Sequence, residues 1–293
     1  MKLGLHIPST TWRGGAPALR TNLARIVETA DAVGFDAICV VDHVWQSPYM
    51  GGPLEPEIEA YTTLGFIAAR TEFVRLMTLA TAASYRAPGL LAKMVTTLDV
   101  LSGGRMLLGI GAGDYPEEAE GMGLAYPSLR ERFEILEETV KVCLQMWEGE
   151  HGDEQPFTGQ HVRLTRALNV PQSLSRPHPP ILIAGRGERR TLPLVARYAD
   201  ACNLPPSPDV PRQLDLLRRL CDEAGRDYDR IEKTAPFAFD VGEDGSKVHE
   251  VVEQLRWLSG MGIQTVLGWV VGVDRITPLE IMGREVIPAV AEL

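Results

Sequence analysis

The chain has 293 residues, 45% hydrophobic and 23% charged, with 29 basic against 39 acidic side chains and a net charge of −10. That balance argues against a nucleic-acid or anionic-membrane partner, and a mean hydropathy near zero with no apolar run of spanning length argues against a transmembrane segment. Cys39, Cys143, Cys202 and Cys221 show no CxxC spacing and read as core thiols, which suits a reducing cytoplasm. The opening MKLGLHIP is too short, and broken too soon by Pro8, to read as a signal peptide.

Strand and helix signals alternate along the whole chain. LGLHI (3–7) reads as a first strand, followed by a helix over 19–33 that ends at Gly34. AICVV (37–41) is a second strand, then a Pro/Gly-rich loop and a helix near 61–70; LMTLATAA (76–83) is a third. In LAKMVTTLDVLSGGRMLLGIGAG (91–113) a helical apolar pattern (Leu91, Met94, Leu98, Leu101) stops at Gly103 and Gly104. A buried strand with alternate glycines then begins after Arg105. Ser128 and Glu131 form a capping box for a helix reaching Trp147. Residues 149–180 are irregular and rich in Gly and Pro, as in a functional lid or a stretch holding its own hairpin. Four further strand–helix pairs follow, with strands at 181–184, 200–204, 236–241 and 265–270 and helices at 189–197, 212–224, 248–258 and 279–290. Eight strands alternating with eight helices predict an α/β fold, a closed (β/α)₈ TIM barrel forming one domain over 1–293. The 149–180 insertion falls between its fourth helix and fifth strand, and a doubly wound open sheet is the alternative.

Function in such a barrel gathers where strands end. Asp42 and His43 close the second strand; the imidazole can move a proton near neutrality, and the adjacent carboxylate either orients it or simply binds loop amides. Gly185, Arg186, Gly187, Glu188, Arg189 and Arg190 lie between a strand and a helix, so this segment is either an anion-binding turn or a tight turn with a solvated basic helix start. Arg190 stands where the dinucleotide fingerprint needs its third glycine. Asp114 follows the glycine-lined fourth strand as a general acid, a hydroxyl-binding group or a helix cap. GxSxG, GxxxxGK[ST] and HExxH are absent, and the remaining histidines (His6, His151, His161, His178, His249) have no ligand spacing, so no metal site is expected.

GFDAICVVDH (34–43), the 91–113 segment above and RPHPPILIAGRGERRTLPLVARYADACNL (176–204) together resemble the luciferase-like flavin and deazaflavin oxidoreductases, nearest to those using coenzyme F420. The resemblance implies a dimeric TIM barrel holding F420, or alternatively FMN, in its mouth. Hydride would pass between the deazaflavin C5 and a small organic substrate; an FMN-dependent monooxygenase and a non-catalytic flavin-binding barrel are the alternatives. By the same resemblance Asp42 and His43 border the ring, with His43 nearest the substrate, and Gly111 and Gly113 floor the site. The turn from Gly185 through Arg186 and Gly187 to Glu188 binds the phosphate, Asp114 sits at an acidic catalytic position, and 149–180 is the lid. A bulge ending the third strand supports the ring; here it is expected after Thr81, at Ala82 and Ala83. Trp45 lies closer to His43 than the tryptophan of the sugar-phosphate enzymes, so their substrate class does not follow.

Overall fold

The computed structural model describes residues 1–293. In the first strand, β1 (Lys2–Ile7), Leu3, Leu5 and Ile7 face the large core shared with the helices, whereas Gly4 lies beside Ala37 and Leu267 of a smaller inner core. Period-two alternation therefore divides one apolar strand between two cores, as a barrel wall requires.

The wall continues with β2 (Ala37–Val40), β3 (Arg75–Thr78), β4 (Thr81–Ala82) and β5 (Met106–Gly111). After a small antiparallel hairpin, β6 (Phe157–Thr158) and β7 (Arg163–Leu164), come β8 (Ile181–Ala184), β9 (Ala201–Asn203), β10 (Glu232–Phe239) and β11 (Thr265–Val270). The wall strands pair in parallel in the order β3-β2-β1-β11-β10-β9-β8-β5-β4, and β3 also pairs with β5, which closes the ring. β3 and β4 are one broken strand, so the barrel has the eight staves the sequence predicts. The helices α1 (Gly15–Val33), α2 (Ala60–Ala68), α3 (Pro88–Leu101), α4 (Pro116–Gly121), α5 (Leu129–Met146), α6 (Thr191–Tyr198), α7 (Val210–Ala224) and α8 (Val248–Gly260) follow in order. The last helix is interrupted: α9 (Thr277–Ile281) and α10 (Ile287–Val290) flank a π-turn over Met282–Val286. No helix is long and apolar enough to cross a membrane, and all four cysteines are buried and unpaired.

The break between β3 and β4 corrects one expectation. Met77 pairs with Leu107 and Thr81 with Ile110, so the third strand advances one residue more than its neighbour. That is a bulge, centred on residues 78–80 and not on Ala82 and Ala83. The cis peptide bond Leu79-Ala80 lies within it. Gly109 makes it possible: a Cβ there would stand 1.8 Å from the Thr78 carbonyl oxygen. Ala82 is already back in register opposite Gly111.

Candidate active site at the mouth of the barrel

A cavity of about 670 Å³ opens at the carboxyl ends of β2, β4, β5 and β8. Asp42, His43, Ala82, Gly111, Gly113 and Asp114 line one part of it, and Gly185, Arg186 and Gly187 another. The sequence reading brought these together from four separate strand ends. Thr81, Ala83 and Glu188 stand apart from the lining. The Thr81 hydroxyl bonds Thr78 Oγ1 and the Tyr61 hydroxyl, Ala83 is packed in the outer core, and Glu188 is paired with Arg212. Residues 149–180 do not line the cavity. The insertion runs along α3 and α5, where Glu138 accepts from the amides of Gln160, His161 and Val162, so it stands beside the barrel and not over the mouth as the lid reading expects.

The carboxylate that orients His43 is not its neighbour Asp42. Consecutive residues of extended chain point opposite ways, and Asp42 turns to Arg86, whose guanidinium makes bonds of 2.5 and 2.9 Å to it and also reaches Glu59. The partner of His43 is Glu118 on α4, with Oε2 3.0 Å from Nδ1. Glu118 also accepts from the amides of Val44 at 2.6 Å and Trp45 at 2.9 Å and from the Tyr85 hydroxyl at 2.5 Å. Tyr115 meets the His43 ring edge-on at 5.7 Å. Burial alone would lower the His43 pKa, but the hydrogen bond and charge of Glu118, with Asp114 and Glu57 behind it, raise it above 6.5. Burial pushes the other way on Glu118, yet its bonds to His43, Trp45 and Tyr85 hold its carboxyl below 4.5. Glu57 titrates nearby: burial raises it to about 7 against the bonds from Ile58 and Gln46 and the charge of His43.

Glu118 is not among the residues that the sequence analysis singles out. The signal was there in its helical register, because α4 begins at Pro116 and turns Glu118 inward while Glu117 and Glu120 face solvent. Gly121 of the same helix lets the Trp45 ring approach, since a Cβ there would lie 2.1 Å from it. Asp114 caps nothing; α4 has no side-chain cap, and Asp114 is exposed at the cavity. Arg132 was also missed. It is buried on α5, donates to the carbonyls of Ala112 and Gly113 and stacks on Tyr126 at 4.1 Å, fixing the chain where β5 leaves the barrel.

The turn after β8 has the makings of an anion site. Gly185 adopts φ 124°, a conformation that favours glycine. The backbone N–H groups of Arg186, Gly187, Glu188 and Arg189 have no partner within the protein. From this turn a second depression of about 230 Å³ continues between α5 and α6, lined by Arg130, Arg189, Arg190 and Arg197 against Glu134 and Glu137. Phe133 lines both, with the Arg190 guanidinium 5.5 Å over its ring.

Residues 1–275 match the luciferase-like monooxygenase family. The chain is 31% identical over 219 residues to an F420-dependent glucose-6-phosphate dehydrogenase of Nakamurella multipartita, a match covering 72% of this chain and 61% of that protein. The chain thus spans less than two thirds of that relative's length. Among solved structures, a monooxygenase from Streptomyces bottropensis superposes with a TM-score of 0.80 at 22% identity, covering 98% of this chain and 99% of that one. An F420-dependent secondary alcohol dehydrogenase in complex with an F420–acetone adduct superposes with a TM-score of 0.81 at 19% identity, covering 99% and 98%. At these identities the superpositions establish the luciferase-like barrel fold.

Proposed function

We propose that this chain, which belongs to the luciferase-like monooxygenase family, is a coenzyme F420-dependent oxidoreductase acting on a small organic molecule. The cavity suits such a cofactor. Its 670 Å³ lies within the usual range for small-molecule sites. Gly111 and Gly113 offer a floor without side chains, and the four free amides of 186–189 offer donors for a phosphate. The observation that carries the choice of cofactor is the depression beyond that turn, with its four arginines and two glutamates. A flavin that ends at its phosphate has no use for it, whereas the oligoglutamate tail of F420 is an anionic chain that does.

When bound, the deazaflavin supplies a carbon centre, C5, that accepts or gives a hydride. The protein's part is positioning and proton handling. As an alcohol substrate is oxidised, its C–H bond breaks with the electron pair leaving as hydride, its O–H proton passes to His43, and a carbonyl forms. Glu118 holds the imidazole at Nδ1, which leaves Nε2 as the exchanging nitrogen. Asp114, exposed at the cavity, is placed to take a substrate hydrogen bond. We extend the proposal to a cytoplasmic homodimer; the buried free thiols support a reducing compartment, and sedimentation velocity reads the subunit number.

The test is a fluorescence titration with F420 and, separately, FMN at low and moderate salt. F420 is expected to bind at least tenfold tighter than FMN and to weaken with salt. The double variant Arg189→Ala/Arg190→Ala is expected to lower F420 affinity and spare FMN. Tighter FMN binding, untouched by those substitutions, would move the enzyme to the flavin branch.

A further inference from the structure

A further cavity, of about 270 Å³, opens on the opposite side of the mouth, where β1 and β11 end. A cavity of roughly 150 Å³ accommodates benzene, so this one has room for a substituted six-membered ring. Trp12, Met50, Trp269 and Val273 provide its apolar walls, and none of its lining residues is Lys or Arg. Its one acidic side chain, Asp274, accepts from the Arg13 amide and faces the Arg13 guanidinium at 3.8 Å. His6 also lines it, and the Nε2 of His6 is buried without a hydrogen-bond partner. Burial lowers the His6 pKa to about 4, so the ring is neutral at physiological pH. A buried polar atom left unpaired is costly, and with the ring turned toward the cavity a neutral hydroxyl or carbonyl can meet it.

This cavity and His43 share one rim. Ile7 pairs with Val40, three residues before His43. The loops that follow are tied together by Gln46 Nε2 donating to the Pro8 carbonyl at 3.3 Å and the Thr10 hydroxyl donating to the Pro56 carbonyl at 2.9 Å. The cations around the mouth each face a carboxylate or the cofactor turn: Lys247 is paired with Asp240 and Arg275 with Glu243. Arg86 is held by Asp42 and Glu59, and Arg186 belongs to the turn that the oxidoreductase reading gives to the cofactor's phosphate. On the β1–β11 side a phosphorylated substrate therefore meets no guanidinium or ammonium among the lining residues, and the nearest, Arg13, already faces the Asp274 carboxylate.

We infer that the substrate is an uncharged, partly apolar alcohol or carbonyl compound seated among Trp12, Met50 and Trp269 with a neutral polar group on His6, and not a sugar phosphate. This rests on the oxidoreductase reading for the reaction, but its ligand class is tested separately. Saturation-transfer NMR on the protein with and without F420 uses cyclohexanol, cyclohexane-1,4-diol and glucose 6-phosphate as probes. Both neutral rings are expected to bind in either arm, and glucose 6-phosphate to give no signal at the same concentration once F420 fills the phosphate-binding turn. Trp269→Ala is expected to weaken both rings about tenfold, and His6→Leu to remove only the advantage of the diol over cyclohexanol, with F420 affinity unchanged in each. With F420 bound, the same variants raise the KM for the diol more than they lower kcat. Binding of glucose 6-phosphate to the F420-loaded protein as tight as that of the neutral rings, or unchanged ring affinity in Trp269→Ala, would overturn the inference. Failure of F420 to bind would overturn only the oxidoreductase reading, because ring binding and its loss in Trp269→Ala still decide the ligand class in the cofactor-free arm.

Discussion

Glu118 is fully buried, and a buried carboxylate is tolerated only when its oxygens are met. Here both are, one by the amides of Val44 and Trp45 and the other by His43 and Tyr85. The residue therefore does two things at once: it pins the loop after β2 and it sets the proton of His43 on Nδ1. The two pKa shifts fix the pH window. His43 is raised above 6.5 in the folded chain, so its contribution to stability is complete below that value and is lost as pH climbs through the raised one. Glu118 is lowered below 4.5, so its contribution is complete above that value and is lost as pH falls through the lowered one. The pair is thus strongest between those limits. Glu118→Gln removes the charge and keeps the size. We expect turnover with F420 to fall about 10- to 100-fold, and the limb of the pH–rate profile that reports His43 to move to lower pH. A variant with a lower melting temperature but an unmoved profile would show that Glu118 serves packing alone.

Glycines in one strand separate shape from site at the scale of elements. Gly109 and Gly111 both belong to β5, two residues apart and on one face of it. A Cβ on Gly109 would collide with the Thr78 carbonyl oxygen at 1.8 Å, and backbone cannot swing aside as a flexible side chain can. Gly109→Ala is therefore expected to cost about 3 kcal/mol, within the range of overpacked cores, read as a melting temperature lower by roughly 6–12 °C. A Cβ on Gly111 meets nothing closer than 3.7 Å, in ordinary contact with Ala184, but it occupies the cavity floor. Gly111→Ala should keep the melting temperature and lower cofactor affinity, so calorimetry and a binding titration tell the two apart. The same strand shows what a sequence can convey. Alternate glycines after a helix stop were enough to place a strand end at a site, because spacing and residue type carry that information. Which glycine opens the floor and which admits the bulge depends on the neighbouring strand's register, and that is invisible until the strands pair. The Asp42–Arg86 and Glu118–His43 pairings were hidden for the same reason, joining residues 44 and 75 positions apart.

Across the whole molecule, a few polar anchors hold the barrel together and fix its insertion to it. At the amino ends of the strands Arg75 bridges Asp36 and Glu232, and so ties β3 to the residues flanking β2 and opening β10, far from the mouth. The insertion is held along α5 by Glu138 and at the end of α3 by Asp99. Asp99 is fully buried and accepts from the amides of Leu174 at 2.7 Å and Ser175 at 2.9 Å and from the Ser175 hydroxyl at 2.7 Å. Trp147 Nε1 and Asn169 Nδ2 both donate to Thr96 one turn away. Asp99→Asn replaces a carboxylate that accepts three bonds with an amide whose nitrogen faces donors, so at least one buried donor loses its partner. The expected loss is about 2–3 kcal/mol, and it falls on the insertion, because the contacts removed lie between it and α3. Hydrogen exchange in residues 160–178 should accelerate and proteolysis should begin there, ahead of the barrel. Since no residue of 149–180 lines the mouth cavity, F420 affinity in Asp99→Asn should stay within twofold of the parent. Loss of affinity in step with loosening of the insertion would mean that the segment reaches the mouth in solution and acts there as a cover.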